Sequence, residues 1–146
     1  MRFMTGLFLI LSAFLLPNTA FAEAAAHKVT IHVDQNDPQV MNMALNNAKN
    51  LSAYYTAKGE TVDIELVAYG PGVMMLREDK SPVKDRISAM ALEMPNMVFS
   101  ACNNTIQAMT KKEGQEIKIL GEAGIVPSGV VRLIELQEQG YAYVRP

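Results

Sequence analysis

The sequence contains very little cysteine and few charged side chains. Cys102 is the only cysteine among 146 residues, which excludes an internal disulfide, and tryptophan is absent. Charged residues make up 19% of the chain, the formal net charge is -2, and the longest basic run is the pair Lys111 and Lys112. A surface without a basic stripe lacks the electrostatic footprint of a nucleic-acid-binding protein. Because basic residues are few, acidic lipid surfaces are also poor partners. The sequence contains no Ser/His/Asp set and no phosphate-binding glycine loop of known spacing.

The first residues have the pattern of a secretory signal peptide. A short segment with Arg2 leads into an almost continuous apolar stretch over residues 3–16, and residues 20–22 (AFA) place small side chains where signal peptidase reads them. Cleavage is expected before Glu23, which makes residues 1–22 the predicted signal peptide. A retained membrane anchor is the alternative, but about fourteen apolar residues fall short of the roughly twenty that span a bilayer as a helix. The style of this leader and the lack of paired cysteines favour the periplasm of a Gram-negative bacterium.

Strand and helix patterns alternate along the remaining residues, 23–146. Short β-branched or apolar runs predict strands over residues 28–34, 61–68, 96–101 and 141–144, with a further short strand over 117–120 and an apolar run over 123–126. Helix starts are predicted at Asp37-Pro38, Ser81-Pro82, Cys102 to Thr105 and Pro127 to Gly129. Alternation without hairpin signals predicts a single α/β domain with a mostly parallel sheet and helices on both faces.

The last predicted helix is apolar on more than one side. Its apolar residues are Val130, Val131, Leu133, Ile134 and Leu136. A helix with one face in water carries a narrower apolar stripe. Burial against a second copy of the chain is therefore expected.

A ligand site is expected where the predicted strands end. In open parallel sheets, ligands bind beyond the carboxyl ends of the strands, where loops and helix N-termini gather. Four loops qualify in this sequence, namely residues 34–37, 69–72, 102–105 and 127–129. The candidate ligand- or anion-binding residues in them are Asn36, Tyr69, Gly70, Asn103, Asn104 and Ser128.

Cys102 is the candidate catalytic residue. Its predicted place between a strand and a helix puts it near the positive end of a helix dipole, which favours a thiolate over a thiol. The alternative is that it is a small buried hydrophobic residue, a common role for a free cysteine.

Metal or cofactor chemistry has little support in the sequence. His27 and His32 are the only histidines, and each is expected to be a core or surface residue. Cleavage after Ala24 would make His27 the third residue and allow a square-planar copper site, a minor alternative. The ten methionines look like apolar gap fillers. No cofactor and no metal site are expected.

Three segments together resemble the DsrE/DsrF-like proteins, specifically their small exported branch. They are VAYGPGV (67–73), MVFSACNNT (97–105) and IVPSGVVRLIELQEQGYAYVRP (125–146). The resemblance implies a three-layer α/β/α domain with a five-stranded, mainly parallel sheet, assembled as trimers or hexamers. Better-studied relatives carry sulfur as a persulfide on a cysteine in the loop after a central strand, and Cys102 matches that position. Those relatives work in the cytoplasm within relay systems, whereas this chain has a predicted signal peptide.

Two functional hypotheses follow. In the first, Cys102 handles sulfane sulfur as a persulfide carrier, Asn103, Asn104 and backbone amides stabilise the anion, and the partner is a sulfur donor or acceptor protein or a small sulfur compound. In the second, the protein is a non-enzymatic oligomeric binding subunit that holds a small ligand near Tyr69 and Ser128, with Cys102 only packing. Neither hypothesis involves nucleic acid, or a membrane once the signal is removed.

Overall fold

Five parallel strands form one sheet in the computed structural model, which describes residues 26–146. The strands are β1 (His27–Val33), β2 (Val62–Ala68), β3 (Met97–Cys102), β4 (Ala123–Val126) and β5 (Ala142–Val144). Their order across the sheet is β4-β3-β2-β1-β5, and every neighbouring pair is parallel. All five carboxyl ends therefore lie at the same edge, so the loops after β1, β2 and β3 come together there.

Four α-helices connect the strands, and local sequence explains where they begin and end. They are α1 (Pro38–Ala57), α2 (Lys84–Glu93), α3 (Asn103–Glu113) and α4 (Gly129–Glu138), and a 3-10 helix covers Gly70–Leu76. The Asp37 side chain accepts a hydrogen bond of 2.7 Å from the Gln39 amide and caps α1, whose first residue is Pro38. Gly114, with φ of 69°, ends α3 in the left-handed conformation that glycine adopts without strain.

The two faces of the sheet are covered unequally. Residues of α1, α2 and α3 pack with alternate strand residues such as Ile31, Leu66 and Phe99 in the main core. Val67 points to the opposite face and packs with Leu133 and Leu136 of α4. In the described part of the chain, three α-helices therefore lie on one face and a single one on the other.

The predicted architecture is confirmed, with differences in detail. Residues 117–120 do not form a sheet strand: Ile119 makes only an isolated antiparallel bridge with Arg77, and Ile117 and Leu120 are buried in the main core. Residues 123–126 form strand β4 instead, which brings the sheet to five strands. The helix predicted from Ser81-Pro82 begins at Lys84, with Val83 as its N-cap. The Ser81 hydroxyl donates a hydrogen bond to the Met75 carbonyl and accepts one of 3.3 Å from the Val83 amide.

The predicted signal peptide lies outside the described residues. Within residues 26–146, no helix combines the length and the apolar character needed to cross a membrane.

Candidate functional site

Cys102 occupies the end of a central strand and the start of a helix. It is the last residue of β3 and the N-cap of α3. Its register partner on β4 is Val126, two residues before the N-cap of α4 at Ser128. The sulfur therefore lies where the N-termini of two helices meet, and the residue is only 4% exposed. Helix N-termini present unpaired amides and a positive dipole end, which favour an anion.

Hydrogen bonds at this junction favour the thiolate. Burial raises the pKa of the Cys102 thiol, because a charged sulfur loses its hydration. Hydrogen bonds to the sulfur lower the pKa by more, so that the pKa of Cys102 lies below its ordinary value. In decreasing order of effect, the donors are the Gly129 amide, the Thr105 hydroxyl, the Thr105 amide and the Asn104 amide. Both helices thus supply donors to one sulfur.

The Thr105 hydroxyl links the sulfur to the loop after β2. Its oxygen accepts a hydrogen bond of 2.9 Å from the Gly70 amide. A hydroxyl that accepts one hydrogen bond is free to direct its own proton elsewhere. The Gly70 amide therefore helps to orient the Thr105 proton toward Cys102.

Gly129 brings the backbone of α4 close to the sulfur because it has no side chain. A Cβ atom at this position would lie 2.7 Å from Cβ of Tyr69 and 3.2 Å from Cβ of Cys102. Real Cβ atoms do not approach another carbon so closely, so a side chain at this position would displace the start of α4. Glycine is therefore required for the Gly129 amide to reach Cys102.

A partly buried ion pair fixes α4 on the sheet one turn after Gly129. The Arg132 guanidinium donates from Nε to Oε1 of Glu65 at 2.8 Å and from a terminal nitrogen to Oε2 at 2.7 Å. Ser100 on β3 donates to Glu65 Oε1 at 2.7 Å. Glu65 is 4% exposed, and a bidentate pair of this kind has a defined geometry. The rotation of α4, and with it the direction of its first amides, is set by this contact.

An aromatic cluster of His32, Tyr69 and Tyr143 adjoins Gly129 through the side chain of Tyr69. The His32 ring stacks on Tyr69 with centroids 4.5 Å apart, and its Nδ1 is 2.7 Å from the Tyr143 hydroxyl. Burial lowers the pKa of His32, while nearby Asp34 raises that pKa and Arg145 lowers it. Because the net shift is downward, the neutral imidazole is favoured near neutral pH.

A groove runs beside the start of α4. Its volume is about 250 Å³, and it is lined by Val126, Pro127, Ser128, Val131, Arg132 and Glu135. Val126 is the register partner of Cys102, so the groove begins next to the strand end that carries the thiol. It offers space for a small molecule or for a partner side chain near the site.

The structure distributes the sequence-predicted site residues unequally around the sulfur. Tyr69 packs against Gly129, and Gly70 bonds Thr105. Asn104 contributes its backbone amide rather than its exposed side chain. Ser128 is the N-cap of α4, without a side-chain cap bond, and lines the groove.

Asn103 and Asn36 are less closely tied to the sulfur. Asn103 is the half-buried first residue of α3. Asn36 is exposed in the loop between β1 and α1, and no described contact joins it to Cys102.

Two important neighbours of the sulfur, Thr105 and Gly129, were not singled out by the sequence. Thr105 ends the predicted loop 102–105, and Gly129 ends the predicted loop 127–129. A hydroxyl three residues after an N-terminal cysteine and a glycine at a helix start were the available signals. Neither signal indicates that Gly129 lies beside Cys102, which is 27 residues earlier in the chain. Within residues 26–146, no three His, Cys, Asp or Glu side chains lie close enough together to hold a metal ion.

Comparison with known proteins agrees with this architecture. The model of the DsrE/DsrF-like family matches residues 27–146. A solved structure of similar fold is a protein of unknown function from Methanobacterium thermoautotrophicum, MTH1491, with a TM-score of 0.69 and 33% sequence identity. The match covers 82% of this chain and 99% of that chain. No curated protein matches. The chain belongs to the DsrE/DsrF-like family, a family related to sulfur relay.

Proposed function

We propose that this protein receives sulfane sulfur on Cys102 and passes it on as a persulfide. The observation that carries the proposal is the placement of the only cysteine at the meeting point of two helix N-termini, where hydrogen bonds lower its pKa despite burial. The thiolate is the nucleophilic form of cysteine, and a lowered pKa increases its share near neutral pH. Membership of the DsrE/DsrF-like family supports the same chemistry.

The transfer step is an exchange between two sulfur atoms. The Cys102 thiolate attacks the outer sulfur of a donor R–S–SH, a bond forms between the two sulfurs, and the S–S bond of the donor breaks. The electron pair of that bond leaves on the donor as R–S⁻, and Cys102 becomes Cys–S–SH. Attack by an acceptor thiolate on the outer sulfur of Cys102 reverses the step. No net oxidant or reductant is consumed.

Backbone amides suit both stages of this exchange. The Gly129, Thr105 and Asn104 amides face the sulfur that is anionic before attack and again after the acceptor has left. Neutral donors held by helices need little reorganisation as the charge changes, which is how preorganised amides stabilise anions in active sites.

The proposal is tested by sulfur loading. The folded protein is treated with polysulfide or thiosulfate and analysed by intact mass spectrometry, with Cys102→Ser as the blank. A gain of about 32 Da, the mass of one sulfur atom, that reductant removes and that Cys102→Ser lacks is expected. An unreactive native thiol that is alkylated only after unfolding would reject sulfur transfer.

We also propose that the protein acts outside the cytoplasm after cleavage before Glu23. The support is the pattern of residues 1–22, which combines an early arginine, a short apolar segment and an AFA cleavage motif. Intact mass of the protein recovered from the periplasm is expected to correspond to residues 23–146. A mass that still includes residues 1–22, or recovery only with membranes, would contradict this.

Two observations favour a second candidate function. Cys102 is 4% exposed, as a packing cysteine would be, and the groove beside Ser128 could hold a ligand without thiol chemistry. In that case the protein is an oligomeric binding subunit. Retention of a copurifying small molecule by Cys102→Ser, together with an inert native thiol, is the result that distinguishes it.

A further inference from the structure

A chain of side-chain contacts crosses the carboxyl edge of the sheet from β5 to β3. The Tyr143 hydroxyl on β5 is 2.7 Å from Nδ1 of His32 on β1. The His32 ring stacks on Tyr69, which follows β2, at an interplanar angle of 21°. Tyr69 in turn packs directly against Gly129. This chain of contacts ends at Cys102, because a Cβ at Gly129 would lie 3.2 Å from Cβ of Cys102 and the Gly129 amide lowers the pKa of the Cys102 thiol.

His32 is an unusual residue to find at its place in this chain of contacts. It is only 4% exposed, and its Nε2 has no hydrogen-bond partner among the described residues. A buried polar atom without a partner is destabilising, whereas an apolar side chain of similar size would carry no such penalty. Packing alone therefore does not account for a histidine at this position. The contacts that do distinguish it are a flat ring face on Tyr69 and a nitrogen on Tyr143.

We propose that His32 is a positioning residue for the Cys102 thiolate, holding Tyr69 against Gly129 so that the N-terminus of α4 stays directed at the sulfur. The Tyr143 hydroxyl fixes the rotation of the imidazole, and the imidazole fixes the ring of Tyr69. Tyr69 then limits the movement of Gly129, which has no side chain to restrict it. The inference rests on the proposed function only in taking the Cys102 thiolate as the working form.

The expected consequence follows from the geometry of the Gly129 contact. A Cβ at Gly129 would lie 2.7 Å from Cβ and 3.1 Å from Cδ1 of Tyr69, so the Gly129 backbone lies against the Tyr69 side chain and a shift of that ring is transmitted to Gly129. Hydrogen bonds weaken steeply as their distance and angle depart from the optimum. Loss of the ring stack should therefore raise the pKa of Cys102.

The experiment measures the thiolate of the full folded protein by its ultraviolet absorbance against pH, with Cys102→Ser as the blank. This readout reports thiolate without requiring a reagent to reach a buried sulfur. The variants are His32→Leu, which removes the flat ring, His32→Phe, which restores a flat ring, and Tyr143→Phe, which removes only a hydroxyl. Thr30→Val is the matched control, since Thr30 lies on the same face of the same strand, two residues away, and its hydroxyl also lacks a hydrogen-bond partner within residues 26–146.

His32→Leu is expected to lower the ratio of thiolate to thiol at neutral pH by about threefold or more, the change that half a unit or more in pKa produces. His32→Phe should restore most of the loss, Tyr143→Phe should show a smaller loss in the same direction, and Thr30→Val should match the unchanged protein. If His32 had only a structural role, its substitution would lower the melting temperature but would not produce this order of thiolate fractions among the variants. An unchanged titration in His32→Leu overturns the proposal, as does an equal loss in His32→Leu and His32→Phe. If His32→Leu does not fold, an unchanged titration in Tyr143→Phe overturns it.

Sulfur loading separates this inference from the proposed function. If the protein without substitutions has a low thiol pKa but gains no sulfur from polysulfide, the proposed sulfur transfer is wrong. The order of thiolate fractions among the His32 variants still tests the positioning role. If the protein loads sulfur but all His32 variants have equal thiolate fractions, the proposed function stands and the positioning role is wrong.

Discussion

The Thr105 hydroxyl is the one side-chain donor among the groups that lower the pKa of Cys102 most. It also accepts the hydrogen bond from the Gly70 amide, so one small group connects the loop after β2 to the sulfur. Only proline removes a main-chain donor, and it also restrains the backbone, whereas the hydroxyl is removed by a side-chain substitution alone. Thr105 is therefore the position where the electrostatics of the site are most directly testable.

Thr105→Val should raise the pKa of Cys102 and destabilise the fold by about 1–2 kcal/mol, because the sulfur loses a donor and the Gly70 amide loses its acceptor. Thr105→Ser keeps the hydroxyl and should leave both properties near those of the unchanged protein. The thiolate titration and urea unfolding are the measurements. Equal titration curves for the Val and Ser variants would show that the hydroxyl does not act on the sulfur.

Gly129 allows a prediction about close packing. Gly129→Ala places a methyl group 2.7 Å from Cβ of Tyr69, and such overpacking is expected to destabilise the fold by about 1–3 kcal/mol. The start of α4 must move to relieve the clash, so the pKa of Cys102 should rise as well.

Gly121→Ala is the matched control for this substitution, since a Cβ at Gly121 meets nothing within 4 Å. Urea unfolding and thiolate titration of both variants give the comparison. A Gly129→Ala protein as stable as Gly121→Ala would mean that α4 is not held tightly against Tyr69.

At the scale of elements, the end of α3 is joined to the segment after the 3-10 helix by a buried cation. The Arg77 side chain is almost fully buried, and its guanidinium binds Asp79 and Glu113, which is the last residue of α3. Lys80 also donates to Glu113, at 3.0 Å. Hydrogen bonds from Arg77 and Lys80 lower the pKa of Glu113 from 4.5 to about 2. The contact pins α3 at the end opposite the thiol.

This lowered pKa predicts how stability depends on pH. Because the folded pKa of Glu113 is below the unfolded one, its contribution is fully present above about pH 4.5 and is lost as the pH falls through about 2. Glu113→Gln should be less stable than the unchanged protein at neutral pH, since Arg77 loses a charged partner in a buried place. The difference in melting temperature should shrink between about pH 4.5 and 2.

Glu116→Gln is the matched control, because Glu116 is exposed just beyond α3 and forms no ion pair within residues 26–146. Thermal unfolding followed by circular dichroism over a series of pH values is the measurement. A constant difference between Glu113→Gln and the unchanged protein at all pH values would contradict the assignment.

Elements were predictable from the sequence where one local signal decides them. The cap at Asp37 and the proline at the start of α1 act on their own neighbours, and the structure confirms that boundary. The predicted strand over residues 117–120 is wrong, because an apolar alternation fits a buried loop as well as a strand. The β4 strand, at residues 123–126, is defined by pairing with β3, a contact between distant parts of the chain.

The surroundings of the candidate site were less predictable for the same reason. The place of Cys102 between strand and helix could be inferred, because it depends on adjacent residues. The Gly129 amide, the Glu65–Arg132 pair and the His32–Tyr69 stack depend on how α4 lies across the sheet. Residue spacing within an element carries no information about that crossing.

At the scale of the whole molecule, the face of the sheet that carries α4 is incompletely covered. A helix is about 10 Å wide, whereas five strands about 4.8 Å apart extend over roughly 20 Å. Val98 of β3, on this face, is 50% exposed although β3 has a strand on either side. Several large apolar side chains around it are also about half exposed. We call the set the α4 apolar surface: Val98, Val130, Val131 and Ile134.

We propose that a second copy of the chain covers the α4 apolar surface, as part of a trimer or of a hexamer built from trimers. Monomeric proteins seldom leave contiguous apolar patches of more than a few hundred Å² in water. The surface carries no charged side chain of its own and borders the groove that contains Ser128 and Val131. Assembly would therefore bring a neighbouring chain close to the strand end that bears Cys102.

Replacing Ile134 by lysine should break this assembly, because burying the α4 apolar surface against a second copy would then remove a charged group from water. Leu92→Lys is the matched control: Leu92 is the most exposed large apolar residue described, at 88%, but it lies on α2, which packs on the opposite face of the sheet. Light scattering at micromolar concentration should give three or six chain masses for the unchanged protein and for Leu92→Lys, and a lower mass for Ile134→Lys. If the protein without substitutions is a monomer, the proposed assembly is wrong. If Ile134→Lys stays fully assembled, the interface lies elsewhere.

The α4 apolar surface adjoins the groove beside Cys102. The Cys102 thiol of Ile134→Lys should therefore be alkylated at a different rate from that of the assembled protein.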